Sequence, residues 1–330
     1  MRPTGVMAGK GWAPISIATL ILCATLAVVS PAFLTVSNLQ SVLIQSSVTG
    51  IMAVGMTFVI VAGGIDISIG AILFLTAALF AKLLFDHGSF LLAISIAGVS
   101  CASLGLINGL LVTSFRCPPL ITTLATYSIY RGIAIHMTEA ANIPVGREYG
   151  FIGNGKIFGL PVPILFLIAI AAIGTYVMTR TRFGIHVRAI GNSRRSAEET
   201  ALPIIRVTIV TYVIAGVLAG LGAIMLIARV GGLQGNLGIG IEFTVIAATV
   251  LGGTKLAGGT GTILGSVIGA VFLVIIDNGL NLANASPFVY DLVRGCILLA
   301  AVVTDRASQI RQGRVRTAAR QARVAARAMS

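Results

Sequence analysis

Charged side chains are scarce in this chain of 330 residues. They make up 10% of the sequence, whereas apolar residues make up 56%, and the mean hydropathy is +0.99. Soluble globular domains carry about 25% charged residues. The composition therefore excludes a soluble enzyme or binding module and predicts a protein of the lipid bilayer.

Sequence motifs for catalysis and nucleotide binding are also missing. The three histidines, His87, His136 and His186, stand apart, and the chain has no H-E-x-x-H or G-x-S-x-G motif. It has no G-x-x-x-x-G-K-[ST] loop either, because Gly155-Lys156 is followed by Ile157. We therefore expect no catalytic residue, metal site or cofactor in this chain, and any ATP would be used by a partner subunit.

Cysteine is the third scarcity. The four cysteines, Cys23, Cys101, Cys117 and Cys296, are isolated, and three of them lie within apolar runs. This distribution favours packing over a disulfide or a metal site.

Long apolar runs fill most of the sequence. A membrane-spanning helix needs about 20 mostly apolar residues, which leaves room for about ten spans. We predict spans near 13–34, 39–62, 69–85, 90–112, 119–136, 162–179, 207–228, 242–254, 261–276 and 289–304. The expected fold class is all-α, a polytopic membrane protein with some short and broken helices. Its expected parts are a cytoplasmic N-terminus over 1–12, one transmembrane domain over 13–304 and a basic cytoplasmic tail over 305–330.

Basic residues indicate which loops face the cytoplasm. The formal charge of +13 is concentrated in 180–206 and in the tail, and cytoplasmic segments carry the excess of lysine and arginine. The charge thus reports orientation and not nucleic-acid binding. In the tail, Arg316, Arg320, Arg323 and Arg327 share one face of a potential helix. That segment is either a helix bound to anionic membrane lipid or a disordered polybasic tail.

Glycine, with 39 residues, occurs in two kinds of pattern. The small-xxx-small pairs Gly105/Gly109, Gly216/Gly220 and Gly265/Gly269 predict tight helix packing. The clusters Gly63 to Gly70 and Leu251 to Gly265 instead interrupt apolar runs, and such breaks need cover from protein or a cavity.

The first of these clusters contains an ionisable residue. Asp66 and Ser68, with Gly64 and Gly70, are candidates for a pathway or hinge element, because a charge within the bilayer is costly and is usually functional. The alternative is that Asp66 and Ser68 only cap the next helix, and that Lys255 of the second cluster marks a cytoplasmic turn.

Four ordered segments together carry a family resemblance that spans about Asn38 to Asp305. They are GIDISIG (64–70), PPLITTLATYSIYRGIAI (118–135), TRFGIHVRAIGNSRRSAEETAL (181–202), and IAATVLGGTKLAGGTGTILGSVIGA with IIDNGLNL (246–270 and 275–282). They resemble the membrane-spanning permeases of bacterial ATP-binding-cassette (ABC) importers for monosaccharides, of the ribose/xylose/galactose type. The chain departs from that pattern at Leu202-Pro203, where Gly-Ile is common, which bears on which ATPase it fits.

The resemblance implies an inner-membrane assembly of two permease copies, an ABC ATPase pair and a periplasmic sugar-binding protein. The segment 180–206 would then be the ATPase-coupling loop. We expect a short helix within Ala197 to Leu202 to enter a groove of the ATPase, with Gly184 and Gly191 forming turns. Other coupling candidates are Arg182, Asn192, Glu198 and Glu199.

Charges within the predicted spans are few and thinly spread, which points to a neutral substrate such as a sugar or polyol. Hydroxyl and amide groups would bind it. The pathway candidates are Thr122, Thr126, Arg131, Asn278 and Asn281. Two alternatives are an ion-gradient-driven secondary transporter, which would need paired acidic residues at the midplane, and an intramembrane enzyme.

The charge asymmetry makes a prediction about topology. Cysteines introduced at Asn154 and at Ser193 should react from opposite sides of the membrane, because only the first lies in a predicted outside loop. In intact cells, an impermeant maleimide should label the variant at Asn154 alone. Labelling of Ser193 from outside would overturn the proposed orientation.

Overall fold

The computed structural model describes residues 12–146, 149–286, 288–290 and 292–303. The predictions for residues 1–11 and for the basic tail fall outside the described residues. The helices are α1 Ala13–Val29, α2 Val36–Val61, α3 Ile69–His87, α4 Phe90–Thr113, α5 Pro119–Thr138, α6 Gly150–Asn154, α7 Val162–Arg180, α8 Arg182–Asn192, α9 Arg194–Glu199, α10 Ile204–Val230, α11 Ile241–Leu251 and α12 Ile263–Leu282. Residues 288–290 and 292–303 are also helical.

Six described helices are long and apolar enough to cross a membrane. They are α2, α3, α4, α7, α10 and α12. The apolar helices α1 and α11 are shorter, with 17 and 11 residues, and α5 has 20 residues but includes Arg131, His136 and several threonines. The structure thus confirms a mainly helical protein with several helices of membrane-spanning length.

The first predicted span, 13–34, is wrong in its extent. Helix α1 ends at Val29, and Pro31 begins a separate 3-10 turn, Pro31–Leu34. Proline has no amide hydrogen to donate, so it starts a helical turn readily but does not continue one.

Two ladders of two residues each are the departures from an all-α fold in the described chain. Strand β1, Ile143–Pro144, pairs antiparallel with β4, Gly232–Leu233. Strand β2, Lys156–Ile157, pairs with β3, Leu160–Pro161. The first ladder joins the loop after α5 to the loop after α10.

Helix α2 lies at the centre of the helix packing. Within its membrane-spanning window, 94% of the residues are buried, and it contacts α7, α10, α11 and α12. Ile51, Met52 and Val59 are fully buried in the main core cluster. A helix that others enclose over most of its length is positioned by its neighbours and not by lipid.

The predicted small-residue pairs form close helix contacts, as expected. A Cβ atom at Gly109 of α4 would lie 2.8 Å from Ile209 Cα of α10. At Gly105 it would overlap the Tyr212 carbonyl, and at Gly216 of α10 it would overlap the Cys101 carbonyl. Gly269 of α12 approaches α11 in the same way. These helices pack backbone against backbone.

This packing predicts opposite effects for the same substitution on one helix. Gly105→Ala should lower the free energy of unfolding by about 1–3 kcal/mol, because the added methyl group has no room against α10. Gly98→Ala is the matched control on α4, since a Cβ there meets nothing within 4 Å. Alanine at that position should be neutral or slightly stabilising. Thermal unfolding in detergent measures both, and equal melting temperatures would contradict the packing argument.

Candidate functional site

The break between α2 and α3 is a buried turn closed by Asp66. Helix α2 ends at Val61, and Ser68 occupies the N-cap position of α3. Asp66 Oδ1 accepts hydrogen bonds from the Ser68 backbone N–H at 3.0 Å and from Ser68 Oγ at 2.6 Å. Both side chains are fully buried. Asp66 therefore stabilises the turn within protein and away from solvent, whereas the Ser68 side chain makes no capping hydrogen bond to α3.

Polar side chains extend this turn into the neighbouring helices. Asn108 of α4 donates from Nδ2 to Ser68 Oγ at 2.6 Å. The Tyr130 hydroxyl of α5 donates to Asn108 Oδ1 at 3.2 Å, and Thr123 Oγ1 accepts from the Ile67 N–H at 3.1 Å. We call Asp66, Ser68, Asn108, Thr123 and Tyr130 the break network. Its hydrogen bonds join the turn between α2 and α3 to α4 and α5.

One acceptor in the break network has no partner. Asp66 Oδ2 is buried and makes no hydrogen bond to any described residue. A buried polar atom without a partner is uncommon, because burial removes its water without replacement. One carboxylate oxygen thus remains able to accept a hydrogen bond at the break between α2 and α3.

The two glycines predicted beside Asp66 allow close contacts. A Cβ at Gly64 would lie 2.8 Å from the Tyr212 hydroxyl of α10, and one at Gly70 would overlap the Glu242 carboxylate of α11. Both positions therefore need the smallest residue, since helices from later in the chain fill the space beside them.

The predicted threonine ligands bond to their own helix. Thr122 Oγ1 donates to the Pro118 carbonyl at 2.9 Å, and Thr126 Oγ1 donates to the Thr123 carbonyl at 3.3 Å. Both residues are buried. In this conformation each hydroxyl group donates its hydrogen bond to a neighbouring backbone carbonyl and not to a ligand.

The expectation of thinly spread charges is wrong for two pairs. The Arg131 guanidinium lies 4.6 Å from the centre of the Phe74 ring and donates to the Gly235 carbonyl at 3.0 Å. Its charge also acts on the Glu242 carboxylate of α11.

The second charge pair joins α12 to the helical residues 292–303. Arg294 Nη2 lies 2.7 Å from Asp277 Oδ2. The members of each pair come from helices that are separated in the sequence, so spacing along the chain does not indicate either pair. Asn278, next to Asp277, exchanges two amide hydrogen bonds with Asn38, at 2.7 and 3.0 Å.

The charged segment 180–206 forms two capped helices, α8 and α9. Thr181 Oγ1 accepts from the Gly184 N–H at 3.3 Å, and Ser193 Oγ accepts from the Ser196 N–H at 3.2 Å. The expected helix within Ala197 to Leu202 was therefore wrongly placed. Helix α9 spans Arg194–Glu199, and Ala201 has a φ of +52°, a left-handed conformation that a helix cannot continue.

One face of this helix pair is held by the membrane helices. Val187, Ile190 and Ala197 are buried in a cluster with Val61 and Ile204. Ala197 consequently anchors α9 to its own chain and does not present itself to a partner, contrary to expectation.

The opposite face of the helix pair is charged and open. Arg182, Asn192, Glu198 and Glu199 are all exposed. Arg194 pairs with Glu198 at 3.4 Å, and Arg195 pairs with Glu199 at 3.2 Å. We call this exposed face of α8 and α9 the coupling face.

Gly184 and Gly191 lie inside α8 and do not form turns as expected. A Cβ at Gly184 would overlap the carbonyl groups at the end of α7, and one at Gly191 would overlap the Val61 carbonyl and the Gly259 N–H. These positions are glycine because the backbone of α8 packs directly on other backbone.

Three parts of the chain meet at Gly191. The Gly259 N–H donates to the Val61 carbonyl at 2.8 Å, and a Cβ at Gly258 would lie 3.1 Å from Gly63 Cα. We call Gly63, Gly191, Gly258 and Gly259 the glycine junction. It joins α8 to the end of α2 and to the segment between α11 and α12.

The cap geometry predicts unequal effects at Asp66. Asp66→Ala should lower the free energy of unfolding by about 1–3 kcal/mol, because the Ser68 N–H loses its acceptor in a buried site. Asp66→Asn keeps an acceptor oxygen and should recover at least half of that loss. Thermal unfolding of the purified protein compares the two variants, and an alanine variant as stable as wild type would contradict the cap.

Comparisons with known proteins agree on one family. A family model described as "Branched-chain amino acid transport system / permease component" matches residues 38–302. The ribose import permease of Escherichia coli K12 is 35% identical over 298 residues, which cover 89% of this chain and 93% of that protein. The ribose import permease of Bacillus subtilis is 38% identical over 289 residues, with 87% and 90% covered.

A third relative is named as an ABC transporter permease. The L-arabinose ABC transporter permease of Azospirillum brasilense is 32% identical over 288 residues, which cover 87% of this chain and 85% of that protein. No solved structure matches the chain. The match over the transmembrane region and the near full-length similarity lead to one conclusion: the chain belongs to the permease family of ABC transporters.

Proposed function

We propose that the chain is the permease subunit of an ABC importer that carries a monosaccharide or similar neutral polyol across the bacterial inner membrane. The relatives described above are named as ribose and L-arabinose permeases, whereas the family model is described by branched-chain amino acids. Because the similarity extends over most of each sugar permease, it favours a sugar over a branched-chain amino acid as the substrate.

The observation that carries this proposal is the helix pair α8–α9 with its two different faces. The coupling face presents charged side chains to a partner, and the opposite face meets the membrane helices at the glycine junction. A partner that moves α8 would therefore move the end of α2 directly. An ABC ATPase subunit, which binds the ATP, fits this role.

The proposed assembly contains two copies of this chain, an ATPase pair and a periplasmic sugar-binding protein. In each copy, α1, α5, α11 and the helical residues 288–290 and 292–303 would join the six long helices to give about ten spans. Both termini would then be cytoplasmic, on the side of the coupling face. Rigid-body rocking of the two copies would open the pathway to each side in turn.

The break network and its glycines would act as the hinge of this motion. Asp66 lies close in sequence to Val61 and Gly63, so a displacement of the glycine junction reaches the turn between α2 and α3. Thr122, Thr126 and Arg131 lie on α5, which the network joins to this turn. These residues are proposed to change partners between states and not to hold the substrate in the conformation described.

A direct test is purification of the tagged chain from its native membranes in mild detergent, followed by reconstitution into liposomes. We expect an ATPase subunit to co-purify, and uptake of D-ribose or L-arabinose to require ATP and the binding protein. Uptake that continues after ATP depletion and stops with an ionophore would instead support the ion-gradient-driven alternative.

The close contacts of the glycine junction predict that one added side chain uncouples the ATPase from uptake. In Gly191→Val, the added atoms meet the Val61 carbonyl and the Gly259 N–H, so α8 must move away from α2. We expect ATP-driven uptake to fall at least about tenfold, as a one-ångström misplacement can produce, while the protein still inserts in the membrane.

The matched control is Gly98→Val, since a Cβ at that position meets nothing within 4 Å. ATPase rate, ATPase association and uptake are measured together for both variants. Normal uptake by Gly191→Val would remove the junction from the coupling mechanism.

A further inference from the structure

A polar cavity lies beside the first turns of α2 and the last turns of α12. Its volume is about 320 Å³, within the range of about 300–1,000 Å³ typical of small-molecule sites. The helical residues 288–290 and 292–303 contribute its third wall through Tyr290 and Arg294. Among the described residues, those that line it are all polar or charged, and none is aliphatic.

Paired side chains hold two of these walls together. Asn38 of α2 and Asn278 of α12 exchange amide hydrogen bonds at 2.7 and 3.0 Å. Asp277 accepts two bonds from Arg294, at 3.3 Å from Nε and 2.7 Å from Nη2. The charges of this pair offset each other, so the cavity suits a neutral ligand better than an ion.

Other lining groups keep their hydrogen-bonding capacity. The side chains of Gln45, Asn281 and Tyr290 make no hydrogen bond to another side chain or backbone group in the described chain. Together they offer amide donors, amide acceptors and a hydroxyl group. A ligand rich in hydroxyl groups can use all of these, whereas a branched aliphatic side chain would find no apolar wall.

The cavity and the coupling face lie at opposite ends of α2. Gln45 and Val61 are separated along the helix by about 24 Å, at a rise of about 1.5 Å per residue. Val61 belongs to the end that meets α8. Near the cavity end, Gln40 accepts a hydrogen bond from Lys156 at 2.8 Å, and Lys156 lies in a loop predicted to face outside.

We propose that this cavity binds a monosaccharide at the outer mouth of the permease, through hydrogen bonds from Gln45, Asn281 and Tyr290 to the sugar hydroxyl groups. The inference rests on the proposed function and deepens it, since it locates a substrate-binding site within this chain. It also separates the two substrate classes that the relatives and the family description name.

A protection experiment tests the cavity without requiring transport. Ser41→Cys places a thiol in the lining, and Ser37→Cys places one a turn away on the same helix, outside the lining. The rate of alkylation by iodoacetamide is followed by mass spectrometry of the corresponding peptide in the full-length protein. D-ribose, L-arabinose and L-leucine are the probes.

At saturating sugar we expect at least one of the two pentoses to slow alkylation of Ser41→Cys by about threefold or more. Alkylation of Ser37→Cys should stay unchanged, and L-leucine should protect neither site. Failure of both pentoses to protect would overturn the inference, as would stronger protection by L-leucine.

Transport kinetics in the reconstituted complex supply the second measurement. Asn281→Ala and Tyr290→Phe should each raise the KM for sugar uptake about three- to tenfold, the effect of losing one hydrogen bond. The KM and the maximal rate of uptake are measured together for each variant. Asn142→Ala, an exposed position outside the cavity, is the control and should change neither value.

An unchanged KM in both variants would also overturn the inference. A wild-type complex without ATP-dependent uptake would contradict the proposed function alone, because the alkylation experiment still decides whether the cavity binds sugar.

Discussion

Close contact between helix backbones is the constraint on which the rest of this structure depends. In lipid, apolar side chains gain little by leaving their surroundings, so helices associate through packing and hydrogen bonds. Gly105 and Gly109 of α4 and Gly216 of α10 bring two helices together at main-chain distance. Tyr212, on the same face of α10, then reaches the Ile65 carbonyl in the turn after α2, at 3.5 Å. The break is covered because α4 and α10 pack closely.

The same kind of contact recurs where the chain is charged. Gly191 lets α8 lie against the end of α2, while the buried residues Val187 and Ile190 keep the helix pair in place. Rigid elements that touch through backbone leave no flexible side chains to absorb a displacement. A movement of α8 must therefore be passed on to α2 or to the segment that contains Gly258 and Gly259. The helix pair is therefore built to transmit a displacement, as the proposed coupling to an ATPase requires.

Features governed by local composition could be predicted from the sequence. Apolar runs located five of the six long helices to within three residues at each end, whereas α12 extends six residues beyond its predicted end. The spacing of Gly105 and Gly109 identified a packing face. The turn at Asp66 was also located, because a charged residue between glycines interrupts two apolar runs. These features depend on neighbours in the chain, which the sequence displays directly.

Features that depend on distant partners could not be predicted. The sequence around Arg131 does not indicate that Glu242 lies nearby, and the sequence around Asp277 does not indicate Arg294. Each pair is brought together by helix packing. The roles of Gly184 and Gly191 were misjudged for the same reason. A glycine in a polar segment suggests a turn, but here a second backbone occupies the space where its side chain would lie.

Helix α2 connects the two places where the chain is proposed to act. Its first half lines the polar cavity through Asn38, Ser41 and Gln45, and its last residue, Val61, meets the glycine junction. Between them the helix is almost entirely buried and continuous, so it transmits a displacement along its length with little bending. Its Asn38 amide pair also joins it to α12, whose other end follows Gly258 and Gly259. Two helices thus leave the junction together and arrive together at the cavity. A shift of α8 that displaced the two helices unequally would change the separation of the cavity walls, which gives the coupling face a physical route to the proposed binding site at the other end of α2.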